Sequence, residues 1–173
     1  DFTKNILLQN QITTVGLSTG SGIVVSKIKN TKVAFLGFND IPPYPKQINN
    51  PNKELLVKQL EVATMSADIV IVSFHWGNEY QLRSKRQQEF ARLAIDNGAD
   101  LIIGHHPHWV QETETYKNVP IFYSLGNFVF DQMWSQKTRE GLVIKVTFEN
   151  HKVSTHSALP IFINKDYQPE PLK

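Results

Sequence analysis

The sequence contains no cysteine. Disulfides, thiolate metal ligands and a cysteine nucleophile are therefore excluded from its chemistry. It also lacks an excess of charge of either sign: Lys+Arg 18 stand against Asp+Glu 16, for a net charge of +2. The tightest basic group is Arg83, Lys85 and Arg86. A nucleic-acid binder needs a basic patch or stripe, so no nucleic-acid partner is expected. No apolar run approaches the roughly 20 residues that span a bilayer. The opening DFTKNILLQNQ lacks the basic, apolar and small-residue zones of a secretory signal. What remains is a chain of 173 residues with a hydrophobic fraction of 40% and a charged fraction of 20%, which suits a single domain of ordinary size. It opens on what reads as the end of a helix with no strand before it, so residues 1–173 are expected to form one domain truncated at its N-terminus.

The pattern along the chain alternates strands and helices. Residues 4–10 read as a helix end, Val15-Gly16 as a short strand, and Ser18 to Gly22 as a small-residue turn. Ile23–Lys29 and Lys32–Phe38 read as strands joined at Asn30-Thr31, and the prolines of residues 41–45 break regular structure. A helix is predicted after Pro51 with Asn52 as N-cap, burying Leu56, Leu60 and Ala63. A second begins at Ser84, which forms a capping box with Gln87, and ends at Gly98. Asp68–Phe74, Asp100–Ile103 and Ile121–Leu125 are short continuous apolar runs, the mark of strands buried on both faces. From Gly141 the apolar residues alternate, which predicts an antiparallel hairpin turning at Asn150-His151.

Each of the three apolar strands runs directly into a polar, glycine-containing loop: His75-Trp76-Gly77, Gly104-His105-His106-Pro107-His108, and Gly126-Asn127. Ligands in open α/β sheets gather beyond the carboxyl ends of strands, so sequence order places these loops on one rim. Four of the six histidines lie there. Imidazole is a frequent metal ligand. In an extended segment His106 and His108 would point to one side, with Pro107 restraining the backbone between them, and His75 could reach the same point from a neighbouring strand. His105 would then face away from His106 and hydrogen-bond or line the rim. Glu79 and Asp131 are nearby carboxylates that could ligate or orient a ligand, and Asn127 offers an amide. Each residue also has a plainer reading: His75 as a satisfied, partly buried histidine, Glu79 as a solvated carboxylate, Asp131 and Asn127 as turn formers, and Trp76, Trp109, Phe128 and Phe130 as core or cleft wall. His151 and His156 read as surface residues. Packing does not readily explain a dense histidine cluster divided between two successive strand ends.

Three segments in order, DIVIVSFHWGNEY, GADLIIGHHPHWVQ and VPIFYSLGNFVFDQ, resemble the bacterial capsule-synthesis CapA/PgsA family, associated with poly-γ-glutamate capsule production. The likeness runs from about Thr13 to about Phe162. It implies an α/β fold similar to that of calcineurin-like metallophosphoesterases, in which two sheets pack together with helices outside. This chain would hold half of that α/β/β/α sandwich, with mixed sheets and flanking helices. The family's Gly-Asp strand end and Asn-His segment, which would supply further Asp and Asn ligands, lie outside these residues, as does the membrane anchor usual in Gram-positive members. The resemblance makes His75 the lone-histidine ligand and His106 and His108 the closing His-x-His pair, binding divalent Mn, Fe or Zn. Catalysis is then expected from His75, His106 and Glu79, and substrate contact from His105, Trp76, Asn127 and Arg83. The implied activity is metal-dependent hydrolysis of a phosphoester or a related bond in the extracytoplasmic cell envelope. The alternative is a non-catalytic component that binds or guides an anionic polymer. Half a sandwich would leave open sheet edges, so pairing of two copies through those edges is expected.

Overall fold

A computed structural model describes residues 2–17, 22–44, 46 and 48–172. Helix α1 (Phe2–Gln9) is followed by strands β1 (Ile23–Ile28) and β2 (Thr31–Asn39), helix α2 (Lys53–Ser66), β3 (Ile69–His75), α3 (Lys85–Asp96) and β4 (Leu101–His105). Then come β5 (Thr113–Tyr116), β6 (Val119–Phe122), a single helical turn α4 (Gln136–Arg139), β7 (Glu140–Glu149), β8 (Lys152–Ile163) and β9 (Pro169–Pro171). Six strands form one sheet in the order β1-β2-β3-β4-β6-β5, and the last three form a second. The four central strands of the large sheet run parallel. β1 and β5 flank them antiparallel, and the small sheet is antiparallel throughout.

The apolar runs make the large sheet two-sided. Because side chains alternate along a strand, Val70, Val72 and Phe74 of β3 face one way. They join Ala34, Leu36 and Phe38 of β2 beneath Leu56, Leu60 and Ala63 of α2 and Phe90, Ala91 and Ala94 of α3. The caps hold as the sequence predicts. The Asn52 side chain accepts from the Leu55 amide, and Ser84 and Gln87 close a reciprocal capping box. Ile69 and Ile71 face the other way, towards the small sheet. In β7, Leu142, Ile144, Val146 and Phe148 are half-buried while Val143 and Lys145 are exposed. The inward set therefore packs on the large sheet without being sealed. A hollow of about 430 Å³ remains between the sheets, lined by Phe35, Ile71, Val146 and Phe148 among others.

The two sheets are joined near one corner. Gly126 bridges Gly141, and the Leu142 amide donates to the Leu125 carbonyl at 2.8 Å. A side chain at Gly141 would fall on the Asn127 carbonyl, so only glycine permits so close an approach.

Several local expectations shift. The β1–β2 turn is Lys29-Asn30, one residue earlier than predicted, with Lys29 at φ 55° and Thr31 already paired with Ile28. Val15-Gly16 is not a strand; the neighbouring Leu17 makes a single bridge to Ile48. The strand of the third apolar run, β6, extends only from Val119 to Phe122, and Leu125 pairs with Val110 instead. β5, α4 and β9 have no counterpart in the sequence reading. Within the predicted turn at 18–22, residues 18–21 lie outside the described residues, as does Pro45 of the proline segment. The hairpin turn at Asn150-His151 is as predicted, with φ of 51° and 63°, the paired left-handed residues of a two-residue hairpin.

Candidate metal centre

β3 ends at His75 and β4 at His105, and register sets these two residues opposite each other. The pairing continues one step further, where the Trp76 amide donates to the His105 carbonyl at 3.0 Å. The two histidine loops thus leave the sheet side by side. Gly104 is required just before the turn. A side chain there would strike the Tyr123 carbonyl and the Trp76 indole nitrogen.

Beyond His105 the chain does not stay extended, as the sequence reading assumed. His106 has φ 103° and His108 φ 59°, both in the left-handed region that side chains rarely adopt. The two imidazoles converge because the backbone folds through Pro107 with two strained residues, not because alternate residues share a strand face. Such strain persists only where the surroundings enforce it, and it concentrates at functional sites. One enforcing contact is visible: the Tyr80 amide donates to the Pro107 carbonyl at 2.8 Å, tying the HWGNEY loop to the GHHPH loop.

The result is a tight triad. Ligand atoms of Glu79, His106 and His108 all lie within 4.8 Å of one another. His75 adjoins it, with its ring centroid 4.7 Å from that of His106. Relative to the expected set of His75, His106 and His108, Glu79 takes the third place in the closest group and His75 stands beside it. His105 shares the sheet face of His75. It borders a hollow of about 290 Å³ with Val15, Asn39 and Ser73.

Asn127 settles the orientation of His108. Its amide nitrogen donates to the Thr138 carbonyl at 2.9 Å, which leaves the amide oxygen 2.8 Å from His108 Nδ1. Nδ1 must therefore carry the proton, and the lone pair sits on Nε2. Burial lowers the pKa of His75, His105 and His106. For His75 the positive charges of His106, His105 and His108 add to that effect. For His106 the Glu79 carboxylate opposes it and His108 reinforces it. Neutral imidazoles with free lone pairs are what a cation needs. Two histidines and a glutamate, one histidine held from behind by an amide oxygen, form a donor set of the kind that binds a divalent metal and leaves a coordination position open.

Other expected residues lie elsewhere. Trp76 is only 1% exposed and donates its indole N–H to the Tyr123 carbonyl at 2.8 Å, so it belongs to the core and cannot touch substrate. Asn127, 7% exposed, gives both ends of its amide to protein and is likewise removed from the substrate-contacting set. Arg83 is paired with Glu112 at 2.6 Å and lies over the Tyr123 ring, which leaves its charge compensated. Asp131 is exposed, and its carbonyl accepts from the Met133 amide, a turn role. His151 sits in the hairpin turn, and His156 is exposed but meets the Phe122 ring edge-on at 5.7 Å.

Of the aromatic wall beside the triad, sequence reasoning offered only Phe130, as core or cleft wall, and gave no role to Tyr80 or Trp134. Tyr80 lies near-parallel to His108 at 6.0 Å, Phe130 is 5.1 Å from His108, and Trp134 meets Tyr80 edge-on at 4.9 Å. The Tyr in HWGNEY and the Phe and Trp of NFVFDQMW were the available signal, but aromatic residues are more often core than rim.

Comparison with known proteins shows what the chain is similar to. The model of the bacterial capsule synthesis protein family PGA_cap matches residues 3–132. The chain is 37% identical over 160 residues to the PGA biosynthesis protein CapA of Bacillus subtilis, covering 83% of this chain and 42% of that protein. It is 36% identical over 163 residues to the capsule biosynthesis protein CapA of Bacillus anthracis, covering 87% of this chain and 39% of that protein. The chain therefore spans about two-fifths of the length of these curated relatives. A solved structure described as a novel phosphatase from Mycoplasma pneumoniae superposes with a TM-score of 0.64 at 14% identity, over 87% of this chain and 60% of that one. At that identity the likeness speaks for the fold alone.

Proposed function

The chain belongs to the bacterial capsule synthesis family PGA_cap, and from that premise we propose that it carries the histidine side of a metal-dependent phosphoester hydrolase site serving poly-γ-glutamate capsule production in the cell envelope. The observation that carries this reading is the convergence of Glu79, His106 and His108 within 4.8 Å at the strand ends of a phosphatase-like fold, with His108 oriented by Asn127. A divalent ion there, Mn, Fe or Zn by its mixed nitrogen and oxygen donors, would supply an activated water and polarise the phosphoryl oxygen.

The chain's own residues do the rest. Glu79, His106 and His108 hold the centre. Asn127 fixes the His108 tautomer so that Nε2 faces the ligand side. His75, exposed at the end of β3 and neutral at pH 7, is placed to pass a proton to or from a reacting oxygen. His105 lines the adjoining hollow, where an ester's second side would lie.

A polymer-guiding role without catalysis would need cations facing solvent near the site. Arg83, Arg86 and Arg92 are instead engaged by Glu112, Asp40 and Glu114, so these three arginines do not offer free charges to a polymer, and Lys137 is a cation on the rim that such a role would have to use.

The test is release of 4-nitrophenol from bis(4-nitrophenyl) phosphate with added Mn²⁺. Turnover that disappears in His106→Ala and on chelation supports hydrolysis. Tight Mn²⁺ binding without turnover would leave a metal site and remove the enzyme.

A further inference from the structure

Beside the triad stands a rigid aromatic corner that the hydrolysis reading does not use. Tyr80 and Trp134 meet at an interplanar angle of 82° with centroids 4.9 Å apart. Tyr80 is fixed three ways. Its backbone is in the left-handed region at φ 58°, its amide is bonded to Pro107, and its hydroxyl accepts from Gln132 Nε2 at 2.9 Å. Phe130 closes the far side of His108. Yet the corner is open: Trp134 is 62% exposed and Phe130 38%. Nearby, Lys137 Nζ sits 4.3 Å above the Trp109 ring, which puts a positive charge on the same rim.

An exposed aromatic ring set against a fixed, half-buried one at the edge of a polar site is unlike scattered surface apolar residues. Two faces at right angles offer a third ring both of the arrangements that aromatic groups favour, an offset stack on one and an edge contact with the other. The corner adjoins His108 directly, so an occupant of the corner can be bonded to a group held at Glu79, His106 and His108. A polymer of glutamyl units carries no ring and would leave the corner unused.

We propose that Tyr80 and Trp134 form a specificity subsite for a planar ring, so that the ligand is a small phosphoester whose alcohol part carries an aromatic or heteroaromatic group. This rests on the phosphoester reading above, but its test reads binding and needs no turnover.

The test is titration of the Mn²⁺-supplemented chain with phenyl phosphate, cyclohexyl phosphate and ethyl phosphate, followed by tryptophan fluorescence and by calorimetry. Of the three tryptophans Trp134 is 62% exposed, Trp76 only 1%, and the half-buried Trp109 lies 6.2 Å from Tyr80, so quenching reports on the corner and its border, and its loss in Trp134→Leu assigns it to Trp134. Stacking on an aromatic side chain predicts that phenyl phosphate binds about tenfold more tightly than ethyl phosphate. Cyclohexyl phosphate, equally apolar but not flat, should fall near ethyl phosphate. Trp134→Leu should abolish the preference and Trp134→Phe restore most of it, with circular dichroism confirming the fold of both. Equal affinity for phenyl and cyclohexyl phosphate, a preference that survives Trp134→Leu, or no saturable binding of phenyl phosphate would each overturn the subsite. The hydrolysis reading fails separately, through absent Mn²⁺-dependent turnover, whatever the rings do.

Discussion

At the scale of single residues, the candidate metal centre depends on a side chain that is not one of its three donors. Because the Asn127 amide nitrogen is committed to Thr138, its oxygen can only accept from His108, and the imidazole loses its choice of tautomer. Asn127→Ala should therefore weaken Mn²⁺ binding about 10- to 100-fold, the usual cost of losing an outer partner of a histidine ligand. Calorimetric titration beside His108→Ala checks this, and an unchanged affinity would reduce Asn127 to a turn former. The histidines also set a pH dependence. His75, His105 and His106 are held below the ordinary value of 6.5. As pH falls beneath that value the unfolded chain takes up protons that the folded chain resists, so stability declines. It should be greatest above the ordinary value and drop on acidification, seen as a lower urea midpoint at about pH 5.5 than at about pH 7.5. Equal midpoints would mean the rings are better hydrated than their packing indicates. The histidine cluster was legible because its residue type and its place after apolar strands are written in the chain. Tyr80 and Trp134 were not, because a sequence shows that an aromatic is present but not whether its face is covered.

At the scale of elements, local signals with a mechanism survived folding best. The Asn52 cap, the Ser84–Gln87 box and the Asn150-His151 turn each satisfy backbone groups through neighbouring residues, so tertiary context had little to override. Ser84→Ala should cost about 1 kcal/mol, read from thermal unfolding. A smaller loss would show that packing of Phe90, Ala91 and Ala94 holds α3 without its cap. The elements missed were β5, α4 and β9, of four, four and three residues. Pieces that short lack a full period of pattern, and pairing with a distant strand decides them. The His-x-His segment failed for a related reason. Its extended geometry was inferred from spacing, whereas the contact between Tyr80 and Pro107 and two left-handed residues bend it.

At the scale of the whole molecule, the large sheet has one face sealed by α2 and α3 and the other only partly met by β7 and β8. His156, Ala158 and Pro160 of β8 are exposed although they pair with the inward residues Val146, Ile144 and Leu142 of β7. The hollow between Phe35, Ile71, Val146 and Phe148 invites apolar cover. The chain by itself is therefore expected to self-associate with rising concentration, as light scattering would show. A constant monomer mass would mean the hollow is tolerated. The helix-covered strands and the antiparallel hairpin were legible from the apolar runs and the alternation, and the packing of two sheets was expected only from the family resemblance; the degree of closure was not legible, since it depends on how two sheets lean together. The corner where Gly126 meets Gly141 and the Leu142 amide bonds Leu125 ties the small sheet to the loop that carries Asn127. The Leu142 amide is bonded two residues before Asn127, so local opening at that corner is expected to disturb Asn127 as well. Slow exchange at Leu142 should thus keep step with that of β6 and quicken with it in any variant that loosens the centre, so that the two sheets register as one cooperative unit in a time course of mass increase.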